Sequence, residues 1–109
     1  MKLYGLKNCD TCRKAAKQLE ASGNVVEFVD VRKEPLSAEQ LNEFVVAFGV
    51  EKLINKKSTT WRQLSEEDRE TDPVSLLQAN PSLMKRPVTV SDQGLMLGWA
   101  KDVQAKFIG

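Results

Sequence analysis

Leu3-Tyr4-Gly5-Leu6-Lys7-Asn8-Cys9-Asp10-Thr11-Cys12-Arg13-Lys14-Ala15-Ala16-Lys17-Gln18-Leu19 is the stretch from which the fold can be read. Leu3-Tyr4-Gly5 has the character of a short buried strand that stops at a glycine. Cys12, Ala15, Ala16 and Leu19 then recur at i, i+3, i+4 and i+7, which is one apolar face of a helix. Ser22-Gly23-Asn24 ends that helix, glycine being the usual C-terminal stop. Val25 to Val31 is rich in β-branched residues and reads as a second strand. Strand, helix and parallel strand make a βαβ unit.

Downstream, Ser37-Ala38-Glu39-Gln40 fits a capping box, with serine as N-cap and glutamine returning at N3. Leu41, Phe44, Val45 and Phe48 form the helical stripe behind it, and Gly49 closes the helix. From Lys52 to Leu83 the pattern gives short helical pieces broken by Asp72-Pro73 and Asn80-Pro81. Val88-Thr89-Val90 is a third strand, Ser91-Asp92-Gln93-Gly94 supplies turn chemistry, and Leu95-Met96-Leu97 completes a hairpin. Val103 and Phe107 sit four apart on a final helix. The order β-α-β, helical middle, β-β-α outlines an α/β protein of thioredoxin-like fold with a mixed four-stranded sheet. Residues 1–109 are expected to form one domain, with a helical insertion at about 37–83.

The chain has 109 residues, 16 basic and 15 acidic side chains, two cysteines and no histidine. That length suits one domain able to bury roughly two-thirds of its unfolded surface. A net charge of +1 disfavours general binding to a nucleic-acid backbone. The absence of histidine excludes Ser-His-Asp and Cys-His nucleophile activation and removes the commonest transition-metal ligand. The start of the chain carries charge where a signal peptide needs an apolar core, and no apolar run approaches a membrane span. A cytoplasmic, membrane-free and monomeric protein is the expectation. In that reducing compartment a cysteine pair is reactive or metal-binding more often than a permanent staple.

Cys9-Asp10-Thr11-Cys12 falls where the first strand meets its helix. Unpaired N–H groups and the positive helix end stabilise a thiolate there. Spacing of i, i+3 keeps both sulfurs on one side of the helix. Cys9 is expected to be exposed and nucleophilic, and Cys12, on the apolar stripe, to be shielded and resolving. A structural zinc site needs four ligands that the chain lacks, so no metal is expected. A disulfide closing so short a loop gains little stability. Lys7 and Arg13 should lower the Cys9 pKa, whereas the Asp10 carboxylate should raise it. Trp61 and Trp99 read as packing residues, with Thr59-Thr60-Trp61 starting a helix under a threonine cap.

Tyr4-Gly5-x-Lys7-Asn8-Cys9-Asp10-Thr11, Asn55, Thr59-Thr60-Trp61-Arg62-x-Leu64, Lys85-Arg86-Pro87 and Leu97-Gly98 together resemble the YffB-like branch of the arsenate reductase (ArsC)/Spx family. The likeness runs essentially end to end. It implies a thioredoxin-like domain with an inserted helical region. Arsenate reductases of that family use one cysteine, at the position of Cys9, and three arginines that grip the oxyanion. Arg86 matches one of the three; Asn55 and Trp99 stand at the others. Each missing guanidinium forfeits roughly 1.5–3 kcal/mol of charge-assisted hydrogen bonding, which weakens such an anion by orders of magnitude. Lys56, Lys57 and Arg62 are the cations available to compensate.

The resemblance therefore implies a glutathione-dependent thiol-disulfide reductase, with glutathione as co-substrate and no permanently bound cofactor. Its partners would be glutathione or a protein disulfide, and glutaredoxin. The alternatives are an arsenate reductase linked to glutathione and glutaredoxin, and an Spx-like redox regulator that binds RNA polymerase through a contact near Gly49. Gly49 is equally explained as a helix C-cap. Pro87 is expected to be cis, facing the thiol, with Arg86 as an anion fork beside it. Lys7 and Arg13 are candidates for the glutathione carboxylates.

Overall fold

The computed structural model describes residues 1–108. Its elements in chain order are β1 (Lys2–Gly5), α1 (Asp10–Ala21), β2 (Glu27–Asp30), α2 (Ala38–Phe48), α3 (Val50–Leu53), α4 (Thr59–Gln63), α5 (Glu66–Arg69), α6 (Pro73–Ala79), a 3-10 turn (Pro81–Leu83), β3 (Val88–Ser91), β4 (Gly94–Leu97) and α7 (Lys101–Ile108). They fall into two compact units, one of Met1–Glu34 together with the chain from Arg86 onward, the other of Pro35–Lys85. Among the described residues no helix is long and apolar enough to cross a membrane.

The first unit holds the whole sheet, ordered β2-β1-β3-β4. β1 runs parallel to β2, with Leu3 opposite Phe28, and antiparallel to β3, with Leu3 opposite Thr89. β3 and β4 form the expected hairpin, Thr89 facing Met96. This is the mixed four-stranded sheet of a thioredoxin-like α/β fold. Cys12, Ala15, Ala16 and Leu19 do form the buried face of α1. They pack with Leu3, Trp99 and Val103, and Phe28, Met96 and Phe107 close over them. Burying a side chain such as Leu19 contributes roughly 1.5–3 kcal/mol.

β2 is shorter than the valine-rich run implies, and its partner explains why. β1 begins at Lys2, so the last pairings available upstream are the Met1 ammonium on the Val25 carbonyl at 2.9 Å and the Glu27 N–H on the Met1 carbonyl at 2.9 Å. Val25 is left 87% exposed. At the other end Val31 donates its N–H to the Gly5 carbonyl at 2.9 Å and stays buried, but the chain then turns.

The second unit is helical. The Ser37 hydroxyl accepts the Gln40 N–H at 3.1 Å, and the Gln40 side chain accepts the Ser37 N–H at 3.2 Å, completing the capping box. Gly49 ends α2 at φ 85°, a left-handed value that favours glycine. Leu41, Phe44, Leu53, Leu76, Leu77 and Leu83 are buried, with α2 packed on α6. One expectation needs correcting. The cap of α4 is Ser58, whose hydroxyl accepts the Trp61 N–H at 3.2 Å, and not a threonine. A serine one residue upstream already supplies the oxygen three residues before Trp61 that the first turn requires. The helical pieces are separated at Asp72-Pro73 and Asn80-Pro81, as the sequence pattern gives: α6 and the 3-10 turn each start afresh there, with proline at a first position where its missing N–H is unneeded.

Candidate functional site

The site is built on the junction of β1 and α1. β1 ends at Gly5, and the chain crosses to α1 through Leu6, Lys7 and Asn8. The Cys9 N–H closes that loop on the Leu6 carbonyl at 3.0 Å, and the Arg13 N–H bonds the Cys9 carbonyl at 3.1 Å. Cys9 is thus the N-cap of α1, extended at φ −93° and ψ 118°. The sulfur therefore lies at the positive end of the helix, and its neighbours are backbone N–H groups.

No disulfide joins the two cysteines. Cys9 is half-buried, less open than the sequence implies, whereas Cys12 is fully buried against Leu3 and Leu19. Gly5 makes that burial possible. A Cβ on Gly5 would lie 2.6 Å from the Cys12 Sγ and 3.1 Å from its Cβ. Gly5 has no positive φ, so the requirement is one of close approach between strand and helix.

The two thiols are pushed apart electrically. Partial burial works against a charge on Cys9, but the N–H and thiol of Cys12, a hydrogen bond from Arg86 and the Arg86 charge outweigh it. Cys9 is therefore held below the ordinary thiol range. Its side chain makes no conventional capping hydrogen bond, so these donors serve the sulfur when it is charged. Burial pushes Cys12 up to about 12, with the Cys9 charge adding to the rise and the Leu6 N–H and Arg86 opposing it. One sulfur is prepared to ionise and the other to stay protonated.

Arg86 is half-buried and joined to a buried Pro87 by a cis peptide bond. The Pro87 carbonyl accepts the Gly98 N–H at 2.8 Å, fixing the start of β3. The other expected cations are placed differently. Arg13 forms an ion pair with Asp10, one helical turn apart on the surface. The pair presents no net charge, so Arg13 and Asp10 largely cancel beside Cys9. Lys7 contributes its backbone: its N–H donates to the Asp30 carboxylate at 3.1 Å, while its side chain is exposed. Asp10, Arg13, Lys14, Lys17 and Gln18 line an open groove of about 490 Å³ along α1 that starts next to Cys9.

Trp99 is buried, and its Nε1–H donates to Gln18 Oε1 at 2.7 Å. It is a packing residue locked to α1 and offers an anion nothing in place of a guanidinium. Asn55, Lys56 and Lys57 belong to the Pro35–Lys85 unit. Within it the Asn55 Oδ1 accepts the Lys57 N–H at 3.1 Å and the Asn55 N–H donates to the Leu83 carbonyl at 2.8 Å. Lys56 Nζ binds Glu51 at 3.1 Å and lies 5.7 Å from the centre of the Trp61 ring. Arg69 covers that ring at 5.2 Å and donates to the Trp61 carbonyl at 3.0 Å. These contacts account for Asn55 and Lys56 within their own loop. Among the described residues no group of three or more acidic or thiol side chains converges to hold a metal.

One residue of the site is not flagged by the residue pattern. Asp30, at the end of β2, is 9% exposed, and Oδ1 accepts the Arg32 N–H at 2.9 Å while Oδ2 holds Lys7. An aspartate bonding two residues ahead is an Asx-turn, the one local signal that could have marked it.

Comparison with known proteins places these residues in a family. The ArsC family model matches residues 4–107. An uncharacterized protein of Haemophilus influenzae is 38% identical over 110 residues, 96% of either chain. The global transcriptional regulator Spx of Listeria innocua is 29% identical over 112 residues, 97% of this chain and 85% of that one. Among solved structures, the YFFB protein superposes with a TM-score of 0.88 at 29% identity, covering 99% of this chain and 98% of the other.

Proposed function

The chain belongs to the ArsC family, whose members include thiol-based reductases and redox regulators, and from that premise we propose that it is a glutathione-dependent thiol-disulfide reductase of the cytoplasm. The observation that carries the reading is Cys9 at the N-cap of α1 with the Cys12 N–H and Arg86 both favouring its thiolate. In the first step the Cys9 thiolate attacks one sulfur of a mixed disulfide between glutathione and a substrate thiol. A Cys9–S(glutathione) bond forms, the substrate's S–S bond breaks, and the departing thiolate takes a proton from solvent. In the second step a glutathione thiolate attacks the glutathione sulfur of the Cys9 mixed disulfide, forming oxidised glutathione and releasing the Cys9 thiolate. In the alternative route the Cys12 thiolate attacks the Cys9 sulfur, forming a Cys9–Cys12 disulfide and releasing glutathione thiolate.

Burial disfavours a thiolate at Cys12, so a glutathione thiolate from solution is the more available resolving nucleophile and Cys12 serves Cys9 chiefly as a donor. In the groove along α1 Arg13 is paired with Asp10, and Lys14 and Lys17 are the cations left to meet the carboxylates of the tripeptide. Arsenate is a poorer substrate, because Trp99 is committed to Gln18 and Asn55 to its own turn.

The test is turnover of the glutathione mixed disulfide of 2-mercaptoethanol, coupled to glutathione reductase and NADPH. Saturable turnover above the uncatalysed exchange is expected, with arsenate at millimolar concentration giving none. Arsenate turnover in the presence of glutathione and glutaredoxin, without mixed-disulfide turnover, would overturn the assignment.

A further inference from the structure

The sulfur of Cys9 sits on a loop of three residues, and a loop that short is only as fixed as its anchors. One anchor is the Cys9 N–H on the Leu6 carbonyl, which lies inside the loop itself. The other comes from a different strand. Asp30 ends β2, parallel to β1 and opposite Gly5 in register, so its side chain arrives beside the point where the loop leaves the sheet. Its two carboxylate oxygens take separate partners: Oδ2 the Lys7 N–H at 3.1 Å, Oδ1 the Arg32 N–H at 2.9 Å. Its carbonyl takes the N–H of Lys33 at 3.1 Å and of Glu34 at 2.8 Å. Asp30 and Thr89 are the only buried polar or charged residues among those described. A carboxylate is costly to bury without such partners, and here every partner is a main-chain donor.

We infer that Asp30 is a positioning residue for Cys9: its buried carboxylate clamps the Lys7 main chain to the end of β2 and so holds the sulfur where Arg86 and the Cys12 N–H can reach it. Asp30 acts through the loop and touches no substrate. Burial by itself would favour the neutral acid, but the N–H groups of Lys7, Arg32 and Lys33 and the Lys33 charge hold the carboxyl below its usual range. The clamp is thus charged throughout the pH range in which a thiol titrates. This inference rests on Cys9 being the nucleophile, and its test uses no glutathione, so the two readings fail separately.

Asp30→Asn converts one oxygen into a donor and cannot accept both N–H groups through its two side-chain arms. The rate of Cys9 alkylation by iodoacetamide, with the site assigned by mass spectrometry, is followed from pH 5 to 10. Asp30→Asn is expected to move the midpoint up by about one unit and slow the reaction at pH 7 about tenfold, leaving the high-pH plateau unchanged. Val31→Ala, which trims a neighbouring buried side chain and spares the carboxylate, is expected to leave the midpoint in place. An unmoved midpoint in Asp30→Asn, or an equal movement in Val31→Ala, overturns the inference. Should Asp30→Asn not fold, hydrogen exchange of the wild-type protein decides it. The Lys7 amide is expected to exchange as slowly as sheet amides such as that of Thr89, and exchange at the rate of an open loop contradicts the clamp.

Discussion

Cys9→Ser is expected to abolish mixed-disulfide turnover, lowering it by roughly three orders of magnitude or more, while leaving the fold intact. The reasoning is chemical. The donors gathered at this N-cap stabilise a thiolate, and a serine hydroxyl in the same place does not ionise near pH 7. Arg86 and the Cys12 N–H then have no charge to stabilise. Cys9 is only half-buried, so the exchange of sulfur for oxygen disturbs little packing. Cys12→Ser is expected to keep a larger share of activity, because its backbone N–H survives the change and a second glutathione can resolve. Steady-state turnover of both variants in the coupled assay checks the ordering. Equal losses would mean that Cys12 is an obligatory resolver.

Gly5→Ala is expected to cost about 1–3 kcal/mol of stability, the range for forcing an extra carbon into a packed core. For a chain of this size that lowers Tm by roughly 5–15 °C. Without the close approach the same change would gain roughly 0.4–1 kcal/mol by restricting the unfolded chain, so even the sign is informative. The added Cβ meets the Cys12 Sγ at 2.6 Å, and Cys12 has buried neighbours on its other sides. Relief therefore requires α1 to lift from β1, which also withdraws the Cys12 N–H from Cys9. Cys12→Ala in the same chain removes the sulfur that clashes. A double-mutant cycle between the two positions is expected to give a coupling of about 1 kcal/mol or more in the direction of rescue. Additive losses would show that the strand–helix gap is not what Gly5 serves.

The outline of the fold was legible because it rests on local periodicity. Cys12, Ala15, Ala16 and Leu19 could mark a buried helix face, and Ser37 with Gln40 a helix start, since both signals lie within one or two turns of chain. The nucleophile was legible for the same reason, as a cysteine at a strand-to-helix junction. What periodicity cannot show is which atoms meet across the sheet. Gly5 reads as a strand end, and only the helix above it reveals a steric demand. Lys7 reads as a cation, yet its contribution is an N–H, which every residue but proline carries. Arg13 and Arg86 are indistinguishable as letters. One is spent on Asp10 a turn away, and the other reaches the sulfur from the start of β3. The short β2 has the same origin, since valines cannot pair where β1 has not begun.

The two thiols differ in kind, with Cys9 prepared to ionise by Arg86 and the Cys12 N–H. Thiolate absorbance near 240 nm, followed from pH 4 to 11 in the reduced wild-type protein and in Arg86→Gln, tests it directly. The wild-type protein is expected to show one thiolate forming with a midpoint below about 8.5, and the second not completed by the top of the range. Arg86→Gln is expected to raise the first midpoint by about one unit, the equivalent of one lost charge-assisted hydrogen bond. Two thiolates appearing together near 8.5, unmoved by the loss of Arg86, would contradict the account.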